Sequence, residues 1–156
     1  MTIAEQFVSQ LIQKGYHVSC AESCTGGKLT GAIVDVADAS KVLNASIVTY
    51  SNEAKIRYLS VSEKTLASHG AVSEQTAYEM AEGIARANQA EIGLSITGTA
   101  GPGGGTPEKP VGTVCFGFYI CGNVTTVCKH FGDLGRNAVR DASVTFALEH
   151  ALSLLA

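Results

Sequence analysis

The chain has 156 residues, 46% of them hydrophobic and 16% charged, with a formal net charge of −3. That is one domain's length, able to bury about two thirds of the surface its unfolded form exposes, and it is too apolar for a disordered chain. The acidic balance gives no reason to bind nucleic acid or an anionic membrane. No stretch approaches the roughly 18 apolar residues of a membrane span, and Met1 to Gln6 hold no basic segment leading an apolar one, so a cytoplasmic protein is expected.

Thr2 to Glu5 read as a capping box ahead of Phe7, Leu11 and Ile12 at helical spacing, with Gly15 as a stop. A short strand follows from Tyr16 to Ala21. The turn Glu22-Ser23-Cys24-Thr25-Gly26-Gly27 opens a second helix to about Val36. After a break at Ala37 to Ser40, a strand near Ala45 to Thr49 leads to Ser51, which can cap a helix holding Asn52 and Lys55. A short helix after Ser62 and a longer one from Ser73 to about Asn88 follow, the latter with Ala77, Met80, Ile84 and Ala87 as a core stripe. Glu91 to Thr97 is a third strand, and the Gly- and Pro-rich segment from Gly98 to Pro110 is too long for a plain connection. Val111 to Tyr119 and Val124 to Phe131 alternate like an antiparallel pair around Cys121-Gly122-Asn123, and a final helix runs from about Arg136 to Leu154.

Helices between the early strands and a late hairpin imply an α/β protein: a three-layer α/β/α sandwich whose mixed, mostly parallel sheet has about five strands, one domain over 1–156. In such folds ligands bind beyond the carboxyl ends of the parallel strands. Those ends carry Glu22-Ser23, Tyr50-Ser51-Asn52 and Thr97-Gly98-Thr99, so three distant segments can line one crevice. The five cysteines (Cys20, Cys24, Cys115, Cys121, Cys128) are odd in number and form no C-x-x-C pair, and they read as reduced core residues.

Ser23 stands in a glycine-bounded turn at a helix N-terminus, where free amides and the positive dipole end can hold an oxyanion. From spacing alone, Ser23 or Thr25 reads equally as a helix cap. No histidine falls on a strand-end loop beside a carboxylate, which leaves Lys55 as the candidate base. One turn into a helix, its charged form is disfavoured by the helix end and by burial. It also reads as a solvated lysine, and Tyr50 as a half-buried aromatic rather than a proton relay. Arg136 and Arg140 can grip a phosphate by paired donors or solvate a helix face. Asp35, Asp38, Glu53 and Glu63 show no metal spacing, so neither metal nor organic cofactor is expected.

Ala21-Glu22-Ser23-Cys24-Thr25-Gly26-Gly27 resembles the CinA C-terminal domain, the nicotinamide-nucleotide amidase family. Val48 to Lys55, His69 to Glu74, Ser95 to Pro102 and Lys109 to Val114 continue the resemblance in order. It implies hydrolysis of nicotinamide mononucleotide to nicotinic acid mononucleotide and ammonia. In the implied site Ser23 is the nucleophile, Lys55 the base and Tyr50 an assisting hydroxyl, and Thr97 contacts substrate or oxyanion. Ser40 matches a further family serine, and Leu134-Gly135-Arg136-Asn137 is similar to a family segment often richer in acid and arginine. Gly98, Thr99, Gly26, Gly27, Asn52, Arg136 and Arg140 complete the expected substrate contacts. The expected partners are a small-molecule nucleotide substrate and a second copy in a homodimer, with no nucleic acid or membrane. Two rivals stay open: a nucleotide-binding module without turnover, and a thiol amidase using Cys24.

Overall fold

A computed structural model describes residues 1–156. The chain forms α1 (Ile3–Lys14), β1 (Val18–Glu22), α2 (Lys28–Val34), a 3-10 turn (Ala39–Lys41), β2 (Leu43–Val48), α3 (Asn52–Leu59), α4 (Glu63–His69), α5 (Glu74–Ala87), β3 (Ile92–Gly98), β4 (Thr113–Ile120), β5 (Asn123–His130) and α6 (Arg136–Leu154). The starts are written locally. The Thr2 hydroxyl accepts from the Glu5 amide while Glu5 Oε2 accepts from the Thr2 amide, and the hydroxyls of Ser51 and Ser73 accept from the amides of Ala54 and Thr76.

The five strands form one sheet in the order β2-β1-β3-β4-β5. β1 pairs in parallel with both β2 and β3, whereas β3–β4 and β4–β5 are antiparallel. Hence β1, β2, β3 and β5 share one direction and β4 alone opposes them, as a mostly parallel sheet requires. α5 packs on one face, with α3 and α4 against it, while α1, α2 and α6 cover the other. The main core lies on that second side, around Phe7, Leu11, Leu29, Ile33, Leu94, Phe116, Phe118 and Leu148. Central β1 is buried at every residue, while edge strand β2 is only part-buried. No helix is long and apolar enough to cross a membrane.

From β1 the chain leaves to β2 on one side and returns through three helices to β3 on the other. That divergence opens a crevice beyond the end of β1.

Two expectations are corrected in the hairpin. Ile120 pairs with Asn123, so the turn is Cys121-Gly122 alone, both at positive φ (48° and 94°) as a two-residue turn of the type I′ kind needs. Cys115 and Cys128 are register partners with Cα atoms 4.1 Å apart and are joined as a disulfide, so these two are not reduced. Directly opposed residues of an antiparallel pair approach this closely, and that brings the sulfurs together. Cys20 and Cys24 are free and buried, whereas Cys121 is exposed on the turn rather than in the core.

Candidate active site

A cleft of about 240 Å³ opens at the carboxyl ends of β1 and β3, lined by Ser23, Cys24, Tyr50, Lys55, Ala71, Val72, Thr97, Gly98, Thr99, Ala100, Gly101, Gly103 and Arg136. Its floor is polar and nearly dry: Ser23 is 7% exposed and Lys55 1%. Lys55 Nζ lies 3.0 Å from Ser23 Oγ and donates to the Thr49 carbonyl at 2.8 Å. The Ser51 cap starts α3 so that its first turn swings Lys55 inward beneath β1's end. Burial lowers the Lys55 pKa from 10.5 to about 8, with the nearby Cys24 opposing the shift. An amine held there loses its proton around pH 8, far below the usual lysine range, and in its neutral form can accept one from the serine hydroxyl.

The turn after β1 is organised by Glu22. Its carboxylate is completely buried and accepts from Thr25 Oγ1 (2.6 Å) and from the amides of Gly27 (3.1 Å), Leu29 (2.9 Å) and Thr30 (2.9 Å). The start of α2 is thereby filled, so the helix end is not the oxyanion site that the sequence suggests. The Cys24 amide makes no hydrogen bond within the protein. Ser23's own carbonyl is tied to the Gly26 amide at 3.1 Å, and in a trans peptide the Cys24 N–H points the opposite way. An amide so placed beside the Ser23 side chain is free to donate to an anion formed there.

Thr97 is 1% exposed and its hydroxyl donates to the Ala71 carbonyl at 2.8 Å, drawing the Ala71–Val72 wall against β3. Tyr50 stands at the mouth, 63% exposed, its hydroxyl accepting from Arg136 Nη2 at 3.0 Å. Arg136 Nη1 donates to the Gly101 carbonyl at 2.7 Å, which places a guanidinium between Tyr50 and the glycine-rich loop. No histidine lines the cleft. His17 meets Glu91 at the opposite end of the sheet, and His150 packs between Phe118 and Phe146.

Five expected substrate contacts stand outside the cleft lining. Ser40 belongs to the turn that enters β2, at the far end of the sheet from Ser23. Asn52 is exposed on the first turn of α3. Gly26 and Gly27 serve the turn instead, taking positive φ (56° and 104°) so that their amides turn toward Ser23's carbonyl and Glu22. Arg140 directs Nε to the Cys24 carbonyl and Nη2 to the Thr25 carbonyl, both at 2.9 Å, and Nη1 to Asn137. The residue reasoning missed most plainly is Glu22, whose side chain reads in sequence as one more polar turn residue. The Cys24 thiol is buried in the cleft lining and pushed up to about 11, chiefly by desolvation and against the opposing charges of Arg140 and Lys55, which disfavours a thiolate there.

A protein-family model described as the CinA C-terminal domain matches residues 1–155. The chain is 51% identical over 146 residues to a CinA-like protein of Kosmotoga olearia, covering 93% of this chain and 35% of that protein, so it spans about a third of that relative's length. It is 51% identical over 141 residues to the nicotinamide-nucleotide amidohydrolase PncC of Enterobacter agglomerans, covering 89% of this chain and 85% of that one. Among solved structures, the competence or damage-inducible protein from Enterobacter asburiae superposes with a TM-score of 0.95 at 38% identity, covering 99% of this chain and 96% of that one. Fold, near-complete coverage and sequence identity agree, and the chain belongs to the CinA C-terminal domain family.

Proposed function

We propose that the chain hydrolyses the carboxamide of nicotinamide mononucleotide, giving nicotinic acid mononucleotide and ammonia, with Ser23 as nucleophile and Lys55 as general base. The observation that carries the reading is the 3.0 Å approach of a desolvated lysine to a buried serine on the floor of a cleft. The name of the Enterobacter agglomerans relative supports the substrate class.

Neutral Lys55 takes the hydroxyl proton as Ser23 Oγ attacks the carboxamide carbon. The carbonyl oxygen becomes an oxyanion that the Cys24 amide can hold. Lys55 returns the proton to the nitrogen as the C–N bond breaks, ammonia leaves, and an ester remains on Ser23. Water attacks that ester with Lys55 again as base, Lys55 returns the proton to Ser23 Oγ as its bond to the acyl carbon breaks, and the carboxylic acid departs with Lys55 neutral again. In this reading the cleft end beside Arg136 and the amides of the glycine-rich loop receives the phosphate.

Ammonia release from nicotinamide mononucleotide, its riboside and free nicotinamide tests the reading directly. Purified protein is expected to be active on the nucleotide, unaffected by EDTA and inactive after Ser23→Ala. Release from none of the three overturns it in favour of a binding module. Lys55→Arg is expected to be as inactive as Lys55→Ala, because a guanidinium stays protonated. The same reading carries a homodimer, checked by sedimentation equilibrium.

A further inference from the structure

Two charged side chains hold the turn that carries Ser23, one from inside the fold and one from outside. From inside, both Glu22 carboxylate oxygens are engaged: Oε1 by Thr25, Gly27 and Leu29, and Oε2 by the amide and hydroxyl of Thr30 (2.9 and 2.6 Å). Glu22's backbone is at the same time paired with Val48 and Ile96 on the flanking strands. From outside, α6 brings Arg140 across more than a hundred residues to the carbonyls of Cys24 and Thr25. Gly26 leaves room for this: a Cβ there would stand 3.3 Å from Arg140 Nη2.

Amide donors on the turn therefore face an anion and carbonyl acceptors face a cation, so Cys24 and its neighbours have little freedom to rotate. Arg140 is not spare for substrate, since three of its nitrogens are already directed at the turn and at Asn137. We infer that Glu22 and Arg140 are positioning residues that clamp the Ser23–Cys24 turn from its two sides, setting the nucleophile against Lys55 and aiming the Cys24 amide at the oxyanion. The inference rests on the reading of Ser23 as the nucleophile. It assigns Arg140 to the turn rather than to the phosphate.

The test compares wild type, Arg140→Ala, Arg140→Lys and Glu22→Gln in two assays, with folding followed by circular dichroism. The first measures kcat and KM for ammonia release from nicotinamide mononucleotide and from its riboside, which lacks the phosphate. The second measures the rate at which an alkyl fluorophosphonate labels Ser23, read by mass spectrometry. There Ser23 Oγ bonds to phosphorus, the P–F bond breaks, fluoride leaves and the hydroxyl proton passes to Lys55. Arg140→Ala is expected to lower kcat about 10- to 100-fold on both substrates with little change in KM, and to slow labelling in parallel, since small misplacements of reacting groups cost that much.

Arg140→Lys recovers part of the rate, because an ammonium reaches one carbonyl and not both. Glu22→Gln, which turns an NH2 toward amide donors, falls at least as far, and if it does not fold the arginine pair decides. A KM increase confined to the phosphorylated substrate overturns the inference, as do unchanged kcat and labelling in Arg140→Ala, or no labelling of Ser23 in wild type. Labelling that slows in the variants while wild type releases no ammonia from either substrate sinks the amidase reading and leaves the clamp standing.

Discussion

The two halves of the sheet bury different kinds of residue. In the parallel half, Glu22, Ser23, Thr25, Thr49, Lys55 and Thr97 are all buried around the ends of β1, β2 and β3. In the antiparallel half, β4 buries Phe116 and Phe118 against Phe146 and Phe131, with His150 stacked on the same cluster. Polar groups are costly to bury unless each finds a partner; converging loop ends that a hairpin cannot bring together supply partners for the side chains of Glu22, Ser23, Thr25, Lys55 and Thr97, while the Thr49 hydroxyl has none. The parallel half concentrates reactive groups at a cost in stability, and the aromatic cluster of the antiparallel half adds to the apolar burial that offsets it.

Lys55→Met breaks that contrast most sharply. Activity is expected to fall about 10⁴-fold or more, as when one member of a catalytic unit is removed. Urea denaturation at pH 6 is expected to find the variant at least as stable as wild type, because it no longer buries an amine that must be either charged or deprotonated there. A variant that is both inactive and markedly less stable would mean that Lys55 serves the fold rather than the reaction.

Phe116→Ala is the mirror experiment. The ring is fully buried, 4.7 Å from Phe146 between centroids, and its loss is expected to cost about 3–5 kcal/mol by the cavity and transfer terms. The folded fraction should keep kcat within about twofold, since the ring's aromatic partners Phe118, Phe131 and Phe146 all lie outside the cleft lining. A collapse of kcat in protein that remains folded would show that the halves are coupled.

Proton linkage gives the next effect. The Lys55 pKa is about 8 in the folded chain and near 10.5 unfolded. Between those values the unfolded state holds a proton that the folded state has released, so stability rises with pH through that window, by roughly 3 kcal/mol in all. Below pH 8 both states are charged and the penalty is fully present. The same titration makes the rate climb about tenfold between pH 7 and 9 as the amine becomes neutral. Lys55→Met should lose the stability slope, and a wild-type rate that is flat over this range would contradict a lysine base.

The parallel half is also where sequence and structure stand furthest apart. Capping residues, helical stripes and strand-end polar segments brought Ser23, Lys55, Tyr50 and Thr97 to one crevice on paper, because each signal is local and the topology follows from element order. Glu22 could not be recognised that way: its role depends on Gly26 and Gly27 turning back so that amides five to eight residues ahead meet one carboxylate. Arg140 depends on α6 docking beside a turn 115 residues away. In the hairpin, cysteine seldom adopts positive φ, so Cys121-Gly122 gave a weak turn signal. The resulting register, which sets Cys115 opposite Cys128, was hidden with it.

The smallest effect separates rim from floor within the parallel half. Tyr50 is mostly exposed and its hydroxyl is bonded to Arg136, which keeps a second bond to the Gly101 carbonyl when the tyrosine oxygen is gone. Tyr50→Phe removes one hydrogen bond worth about 0.5–1.5 kcal/mol, and its consequence is a looser guanidinium at the mouth. KM for nicotinamide mononucleotide is then expected to rise a few-fold with kcat within about twofold, and the riboside, which has no phosphate for Arg136 to hold, should be nearly indifferent. Were the hydroxyl instead a proton relay to Lys55, kcat would fall by about 10²-fold or more on both substrates and the alkaline rise in rate would move. The ratio of the two substrates' responses therefore decides whether Tyr50 works through Arg136 or on the reacting atoms.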